Sequence, residues 1–141
     1  MSVYLINHLR IPGGIPTEQG LSYLEQVEST VKPHGGKWLA QGDVRIVEGA
    51  WPGSVVLMEF PSMADAQRWY DSPEYQRILS LRTNSAISDL IFVEGVAPAF
   101  TPAGFARQIR GAMKSADAVG PRQRDPEIAK CLGALWKEHV I

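Results

Sequence analysis

The chain has only one cysteine, Cys131, among its 141 residues. A single cysteine cannot form an internal disulfide, which excludes a small secreted scaffold built on disulfide bonds. No apolar run approaches the roughly 20 residues of a membrane-spanning helix. The first ten residues, MSVYLINHLR, lack the basic region and the apolar core of a signal peptide. We therefore predict a cytoplasmic protein with no membrane partner.

The chain also lacks an excess of charge of one sign, because its formal net charge is -1. A nucleic-acid partner is therefore not predicted. The charge is unevenly distributed: residues 1–101 carry seven Lys+Arg and eleven Asp+Glu, whereas residues 102–141 carry seven and four. The breaker-rich run APAFTP separates the two parts. This predicts a domain over residues 1–100 and a basic helical extension over residues 101–141.

Sequence motifs for metals, phosphates and nucleophiles are missing. His8, His34 and His139 do not have the spacing of a metal site, and Cys131 has no second cysteine beside it. The chain has neither a phosphate-binding loop nor a dinucleotide fingerprint, and it has no Gly-x-Ser-x-Gly elbow. We therefore predict no bound metal and no cofactor.

The apolar pattern of residues 1–100 predicts four strands and a helix or helix pair after the first and third of them. Strands are expected at residues 3–9, 38–47, 54–60 and 86–96, with a bulge or bend at Gly42 and Asp43. Thr17 is expected to cap the first helix, Ser62 the second, and Pro73 to begin a third. Met63, Ala66 and Tyr70 are expected to line the inner side of the second helix, and Tyr75, Ile78, Leu79 and Arg82 that of the third.

This order, β-α-β-β-α-β with the second helix split, is typical of the ferredoxin-like α+β fold with an antiparallel sheet. The strands are apolar on both faces, although the helices can cover only one of them. The simplest cover for the other face is a second copy of the chain, packed sheet to sheet. We therefore predict a homodimer.

The C-terminal extension has its own pattern. Phe105, Ile109 and Met113 predict one helix, residues 115–124 a linker, and Asp125 the cap of a further helix. Three interpretations remain open. The extension packs on its own dimer, which the apolar face of Leu132, Leu135 and Trp136 favours; it docks on another protein; or its arginines contact nucleic acid or lipid, for which no recognisable module is present.

Several segments of the chain resemble one bacterial family. These are the runs HGGKWLA at 34–40, VEG at 47–49, EFPSM at 59–63, WYDSPEYQ at 69–76 and VEG at 93–95. They resemble the domain-of-unknown-function family numbered 1330, over about residues 2 to 96. The resemblance implies membership of the dimeric α+β barrel superfamily and no agreed activity. Where the family usually has Arg after the Leu-Ala of the second strand, this chain has Gln41.

The same superfamily includes haem-degrading monooxygenases, which this chain resembles in Asn7, Trp69 and Ser72. Those enzymes have a haem-ligating His ten residues after the Trp, where this chain has Leu79. Because leucine cannot ligate iron, the comparison argues against haem degradation.

Two residues are candidate catalytic groups. His8 lies in the first strand, where it either points into the barrel cavity as a general base near neutral pH or is a partly exposed histidine at the strand end. Glu59 is the only charged residue in the apolar third strand. A buried carboxylate needs a partner or a wet cavity, so it either takes part in proton transfer or pairs with a basic residue such as Arg82 or Arg45.

Four further residues are candidates for ligand binding: Trp38, Trp69, Tyr75 and Arg82. Our first hypothesis is a dimeric barrel that holds a small organic metabolite between sheet and helices. It would act as a cofactor-independent enzyme of the oxygenase, isomerase or cyclase type, with His8 or Glu59 transferring a proton. The alternative is a non-catalytic ligand-binding or assembly module that docks through its C-terminal helices.

Overall fold

The computed structural model describes residues 1–119 of the chain. Short 3₁₀ turns at Pro12–Gly14 and Lys32–His34 flank the first helix. The strands and α-helices of this range are, in chain order, β1 (Val3–Arg10), α1 (Glu18–Val31), β2 (Lys37–Asp43), β3 (Ser54–Phe60), α2 (Met63–Asp71), α3 (Pro73–Thr83), β4 (Ile87–Glu94) and α4 (Pro102–Val119).

The four strands form one antiparallel sheet in the order β2-β3-β1-β4. Strand β1 is central, with Tyr4 opposite Glu59 of β3 on one side and Val93 of β4 on the other. This arrangement confirms the predicted α+β, ferredoxin-like fold.

Strand β2 differs from its prediction at both its irregularity and its end. The register against β3 shifts between Trp38 and Ala40, so the bulge falls at Leu39 and not at Gly42. The strand ends at Asp43, four residues earlier than Val47, the end expected from its apolar pattern. Val47 lies in the loop that follows and is largely exposed, so its apolar side chain does not mark a strand.

The core lies between the sheet and helices α1 to α3. Alternate residues of β1 and β3 point to the helices, because successive side chains in a strand face opposite sides. The fully or almost fully buried residues of the core are Val3, Leu5, Val27, Val31, Val56, Met58, Phe60, Ala66, Trp69, Tyr75 and Ile78. We call the sheet face that carries the strand members of this set the inner face, and the opposite face the outer face.

Thr17 and Ser62 cap their helices as predicted, and Ser72, directly before the predicted start at Pro73, caps the third helix. Oγ1 of Thr17 accepts the N–H of Gly20, Oγ of Ser62 accepts that of Asp65, and Oγ of Ser72 accepts that of Tyr75. The inner side of α2 differs from its prediction. Ala66 and Trp69 are buried there, while Met63 is exposed and Tyr70 is only partly buried.

Two glycines allow β2 to begin close to the core. Gly35 has a φ of 76°, which favours glycine, and it closes the 3₁₀ turn after α1. A Cβ on Gly36 would lie 2.6 Å from the ring of Phe60. The backbone therefore passes close to Phe60 at Gly36, two residues before Trp38.

The chain divides into two units between Val96 and Ala97. In the second unit, α4 contains the predicted helix over Phe105 and Ile109 and continues to Val119. Residues 115–119, expected to begin a linker, are therefore helical, and the helix predicted after Asp125 lies outside the described residues. None of the helices described here has both the length and the apolar character needed to cross a membrane.

Candidate functional site

A cavity of about 450 Å³ lies between the inner face of the sheet and helix α1. Leu5, Val56 and Met58 form part of its sheet side, and Leu24 and Val27 part of its helix side. Its volume and apolar walls are those of a site for a small organic molecule.

Both tryptophans predicted to bind a ligand line this cavity. Trp38 extends from β2 opposite Met58, and Trp69 comes from α2. The Nε1 of Trp69 donates a hydrogen bond to Oγ1 of Thr30 over 3.1 Å. Its ring centroid lies 4.2 Å from that of Tyr75. Trp69 is thus held by helix contacts while one side of it faces the cavity.

A buried guanidinium and two tyrosines form the polar end of the cavity. Arg82 and Tyr23 line it, and Tyr75 lies directly behind them, fully buried. The Nε of Arg82 donates to Oη of Tyr75 over 3.3 Å, and the hydroxyl groups of Tyr75 and Tyr23 are hydrogen bonded at 3.0 Å. Of the predicted ligand-binding residues, Tyr75 alone does not line the cavity, and it is connected to it through its hydrogen bond with Arg82.

The protonation states of this cluster follow from its burial. Burial raises the pKa of Tyr23 well above its usual range, and the neighbouring Tyr75 raises it further. Burial acts to lower the pKa of Arg82, but Tyr75 and Tyr23 raise it by more, so the net shift is upward. At neutral pH the cavity therefore holds a neutral phenol beside a charged guanidinium.

Asn7 is a cavity residue that the sequence analysis did not select as a site. It lies on the inner face of β1, is only 5% exposed, and its Oδ1 has no hydrogen-bond partner among the described residues. In the sequence, Asn7 stands between Leu5 and Leu9 at alternate positions of the first strand. Its carboxamide therefore shares the strand face of these two leucines, which is the face that packs on the helices. A buried acceptor without a donor is costly unless something in the cavity supplies one.

Exposed polar groups surround the inner part of the cavity. Two carboxylates, Glu28 and Asp43, line it, and Glu28 pairs with Lys32 over 2.7 Å. Gln41 also lines it. These residues are exposed, so their charges are largely solvated.

His8 and Glu59 do not line this cavity, because the alternation of β1 and β3 places both on the outer face. The structure therefore places both residues outside this cavity, and their catalytic role stays a prediction. Glu59 pairs with Lys37 over 3.3 Å, and not with Arg82 or Arg45. A basic partner was one of the two alternatives for Glu59, and the bulge at Leu39 makes Lys37 that partner.

The outer-face surroundings of His8 are structural. Its Nδ1 accepts a hydrogen bond from Arg10 over 2.9 Å, and its Nε2 donates to the carbonyl oxygen of Pro52. The indole of Trp51 lies against the imidazole, with ring centroids 4.4 Å apart. Arg10 also pairs with Asp89 over 2.6 Å. His8 therefore attaches the loop before β3 to the end of β1.

Solved structures share this fold. A protein of unknown function from Rhodopseudomonas palustris, RPA0582, is 21% identical with a TM-score of 0.56, and the match covers 69% of this chain and 84% of that chain. SnoaB from Streptomyces nogalater, a cofactor-independent oxygenase, is 9% identical with a TM-score of 0.50, covering 71% and 98%. At these identities the likeness shows a common fold alone.

A third similar structure is a dimeric ferredoxin-like protein of unknown function from Jannaschia sp. CCS1, 14% identical with a TM-score of 0.48, covering 67% of this chain and 100% of that chain. No functionally curated protein matches the chain in sequence. The model of the domain of unknown function DUF1330 matches residues 2–96, which contain the whole sheet and its three helices. The resemblance noted in the sequence is thereby confirmed, and the chain belongs to the DUF1330 family.

Proposed function

We propose that this protein binds a small, mostly apolar organic molecule in the cavity between sheet and helices and acts on it as a cofactor-independent enzyme. The observation that carries the proposal is the cavity of about 450 Å³ with apolar walls and a few buried polar groups directed to it. Asn7 and Arg82 are the buried groups, and the half-buried Tyr23 adds its hydroxyl. Polar groups in fixed positions on apolar walls orient a ligand, which is the first requirement of catalysis.

SnoaB supports the catalytic part of the proposal only at the level of fold, since it is an oxygenase that works without a cofactor. Oxygenation, isomerisation and cyclisation without a cofactor all require the protein to position the substrate and to stabilise negative charge on one of its oxygens. Arg82 is the cavity residue suited to stabilise such charge. The alternative, a binding module without catalysis, uses the same cavity and differs only in the fate of the ligand.

The experiment is native mass spectrometry of protein purified from its source, followed by extraction of any retained molecule. Ala86 lines the cavity and is half-buried, so Ala86→Phe fills part of the space. Ala64→Phe is the matched control, because Ala64 is exposed on α2. We expect a retained molecule in the wild type and in Ala64→Phe and its loss in Ala86→Phe. Equal retention in both variants would refute the cavity as the site.

A second measurement separates the enzyme from the binding module. The extracted molecule is incubated with fresh protein in air and followed by liquid chromatography and mass spectrometry. Conversion to a product faster than without protein supports an enzyme. A ligand that stays unchanged over many hours supports the non-catalytic alternative.

We also propose that the protein acts as a homodimer that packs outer face to outer face. Ile87, Ile91 and Val93 of β4 are exposed there beside the half-buried Ile6 and Leu57. Such a contiguous apolar surface is typical of an interface between protein chains. A two-fold axis lets the same strands supply both sides of the contact.

A further inference from the structure

Arg82 is a buried cation without an anionic partner. It is 9% exposed, and no carboxylate lies within ion-pair distance of it among residues 1–119. The four ion pairs of this part of the chain involve Arg10, Lys32, Lys37 and Arg68 instead. Removing an ion from water is costly unless another charge and hydrogen bonds compensate for it. The free protein therefore holds a charge whose partner is missing.

The guanidinium is oriented but not saturated. Its Nε donates to the hydroxyl oxygen of Tyr75, and the hydroxyl of Tyr23, which is bonded to that of Tyr75, is also hydrogen bonded to Arg82. In the described part of the chain these two phenols are its side-chain hydrogen-bond partners, and neither is a carboxylate. A guanidinium presents five N–H donors, so two hydroxyl partners leave donors free for the two oxygens of a carboxylate. Arg82 is thus pre-oriented toward a planar anionic group.

The inner cavity favours an anion for further reasons. The first turn of α1 reaches its wall at Thr17 and Gly20, which adds the positive end of the helix dipole. The two carboxylates near the cavity, Glu28 and Asp43, are exposed and not paired with Arg82. Arg82 itself is buried among mostly apolar walls, so its charge is poorly screened by solvent.

We propose that the molecule held in this cavity is an organic carboxylate, with its carboxylate on Arg82 and its apolar body between Trp38, Trp69 and the sheet. This inference rests on the proposed function, since it names the class of ligand for the same cavity. Asn7 adds a second anchor, because its unpartnered Oδ1 can accept a hydrogen bond from a hydroxyl or amino group of the ligand. Arg82 is then the residue that determines specificity for the anion.

The test uses the full chain and three probes with one aromatic body. They are 2-naphthoate, its neutral amide 2-naphthamide, and the cation 2-naphthylmethylammonium, titrated by calorimetry with quenching of tryptophan fluorescence as a second signal. We expect the carboxylate to bind about 10- to 100-fold more tightly than the amide, the range for hydrogen bonds to charged groups. The cation should bind most weakly of the three.

Variants then assign the preference to Arg82. In Arg82→Met the carboxylate and the amide should bind equally, while Arg77→Met, an exposed arginine of the same helix, should keep the wild-type ratio. Arg82→Lys keeps the charge without the fork and should retain part of the preference. If Arg82→Met does not fold, the ratio of carboxylate to amide affinity in the wild type and in Arg82→Lys still tests whether the guanidinium sets the preference.

The outcomes separate the two proposals. If all three probes bind the wild type equally and quench its tryptophan fluorescence, the ligand class is not a carboxylate, but the cavity remains a binding site. A preference for the carboxylate that persists in Arg82→Met overturns the assignment to Arg82. Absence of binding by every probe overturns the inference and also contradicts the proposed function.

Discussion

The indole Nε1 of Trp69 donates a hydrogen bond to Oγ1 of Thr30 over 3.1 Å, between helices α2 and α1. Both residues are buried, with 1% and 7% of their surface exposed. The Thr30 hydroxyl donates in turn to the carbonyl oxygen of Val27 over 2.7 Å. Because Trp69 forms part of the cavity wall, the orientation of that wall depends on a hydroxyl of another helix.

The first prediction concerns this hydrogen bond. Thr30→Val keeps the shape of the side chain but leaves the buried N–H of Trp69 without an acceptor. We expect the free energy of unfolding to fall by about 1 to 3 kcal/mol, the cost of an unsatisfied buried donor, measured by urea denaturation. Thr83→Val, at an exposed helix end, should change it by less than about 0.5 kcal/mol. Equal effects of the two variants would show that the Trp69 bond contributes nothing.

The second prediction concerns the unpartnered amide of Asn7. Asn7→Leu replaces a buried polar group by an apolar one of similar shape, so we expect the ligand-free protein to become more stable by about 1 kcal/mol. The same variant should bind hydroxylated naphthoates more weakly, because the acceptor is gone. Thermal melting and calorimetry measure the two effects. A loss of stability without a change in affinity would mean that Asn7 serves the fold and not the ligand.

The sequence was sufficient for the fold because the strands, the caps and the breakers each have a local signature. Thr17 and Ser62 cap helices at the places that their side chains predict, and the third helix begins at the predicted Pro73. The period of two in β1 also grouped Tyr4, Ile6 and His8 on one parity. Both parities are apolar, so the pattern does not tell which of them meets the helices, and only the register of the sheet places His8 on the outer face.

The site was harder to predict because it depends on contacts between distant segments. The partner of Glu59 is decided by a register shift in β2, which the composition of that strand does not reveal. The cavity exists because α1 and the sheet leave a space between them, a property of their packing. Residue type alone marks Trp38, Trp69 and Arg82 as candidates, and all three line the cavity, whereas the place of Asn7 on its wall follows only from the packing.

The third prediction concerns alkaline pH. The pKa of Tyr23 is raised in the folded protein, so the neutral phenol is favoured there relative to the unfolded chain. The stability from this shift is fully present below the unfolded pKa of about 10 and is lost as pH rises from there toward the folded pKa. Tyr23→Phe cannot ionise. We expect the wild type to lose stability more steeply than Tyr23→Phe between about pH 9.5 and 11.

Urea denaturation at a series of pH values measures this difference. Between about pH 7 and 8.5, where an unfolded tyrosine is still protonated, the two stability curves should run parallel. Parallel curves throughout the alkaline range would contradict a buried neutral phenol at residue 23.

The fourth prediction concerns the outer face. Ile91 is 54% exposed on β4, and a lysine there would place a charge in the proposed sheet-to-sheet contact. We expect light scattering to give about twice the chain mass of 15.5 kDa for the wild type and close to one chain mass for Ile91→Lys. Val47→Lys, on the loop after β2, should stay dimeric. A monomeric wild type would refute the dimer directly.

The fifth prediction separates His8 and Glu59 from the cavity. Since both lie on the outer face, His8→Ala and Glu59→Gln should each change the affinity for 2-naphthoate by less than about twofold. His8→Ala also removes the contacts with Pro52 and Trp51. The loop over residues 44–53 should therefore open more often, and trypsin should cleave faster after the exposed Arg45.

Glu59→Gln is the matched control for the cleavage, because Glu59 pairs with Lys37 at the far end of the sheet from that loop. It should be cut after Arg45 at the wild-type rate. A tenfold loss of 2-naphthoate affinity in His8→Ala would place the imidazole beside the ligand and contradict the cavity described above. If these variants bind the molecule extracted from the source protein as tightly as the wild type but no longer convert it, that result would support the catalytic role predicted for the two residues. In that case proton transfer would take place on the outer face, between the two sheets of a dimer.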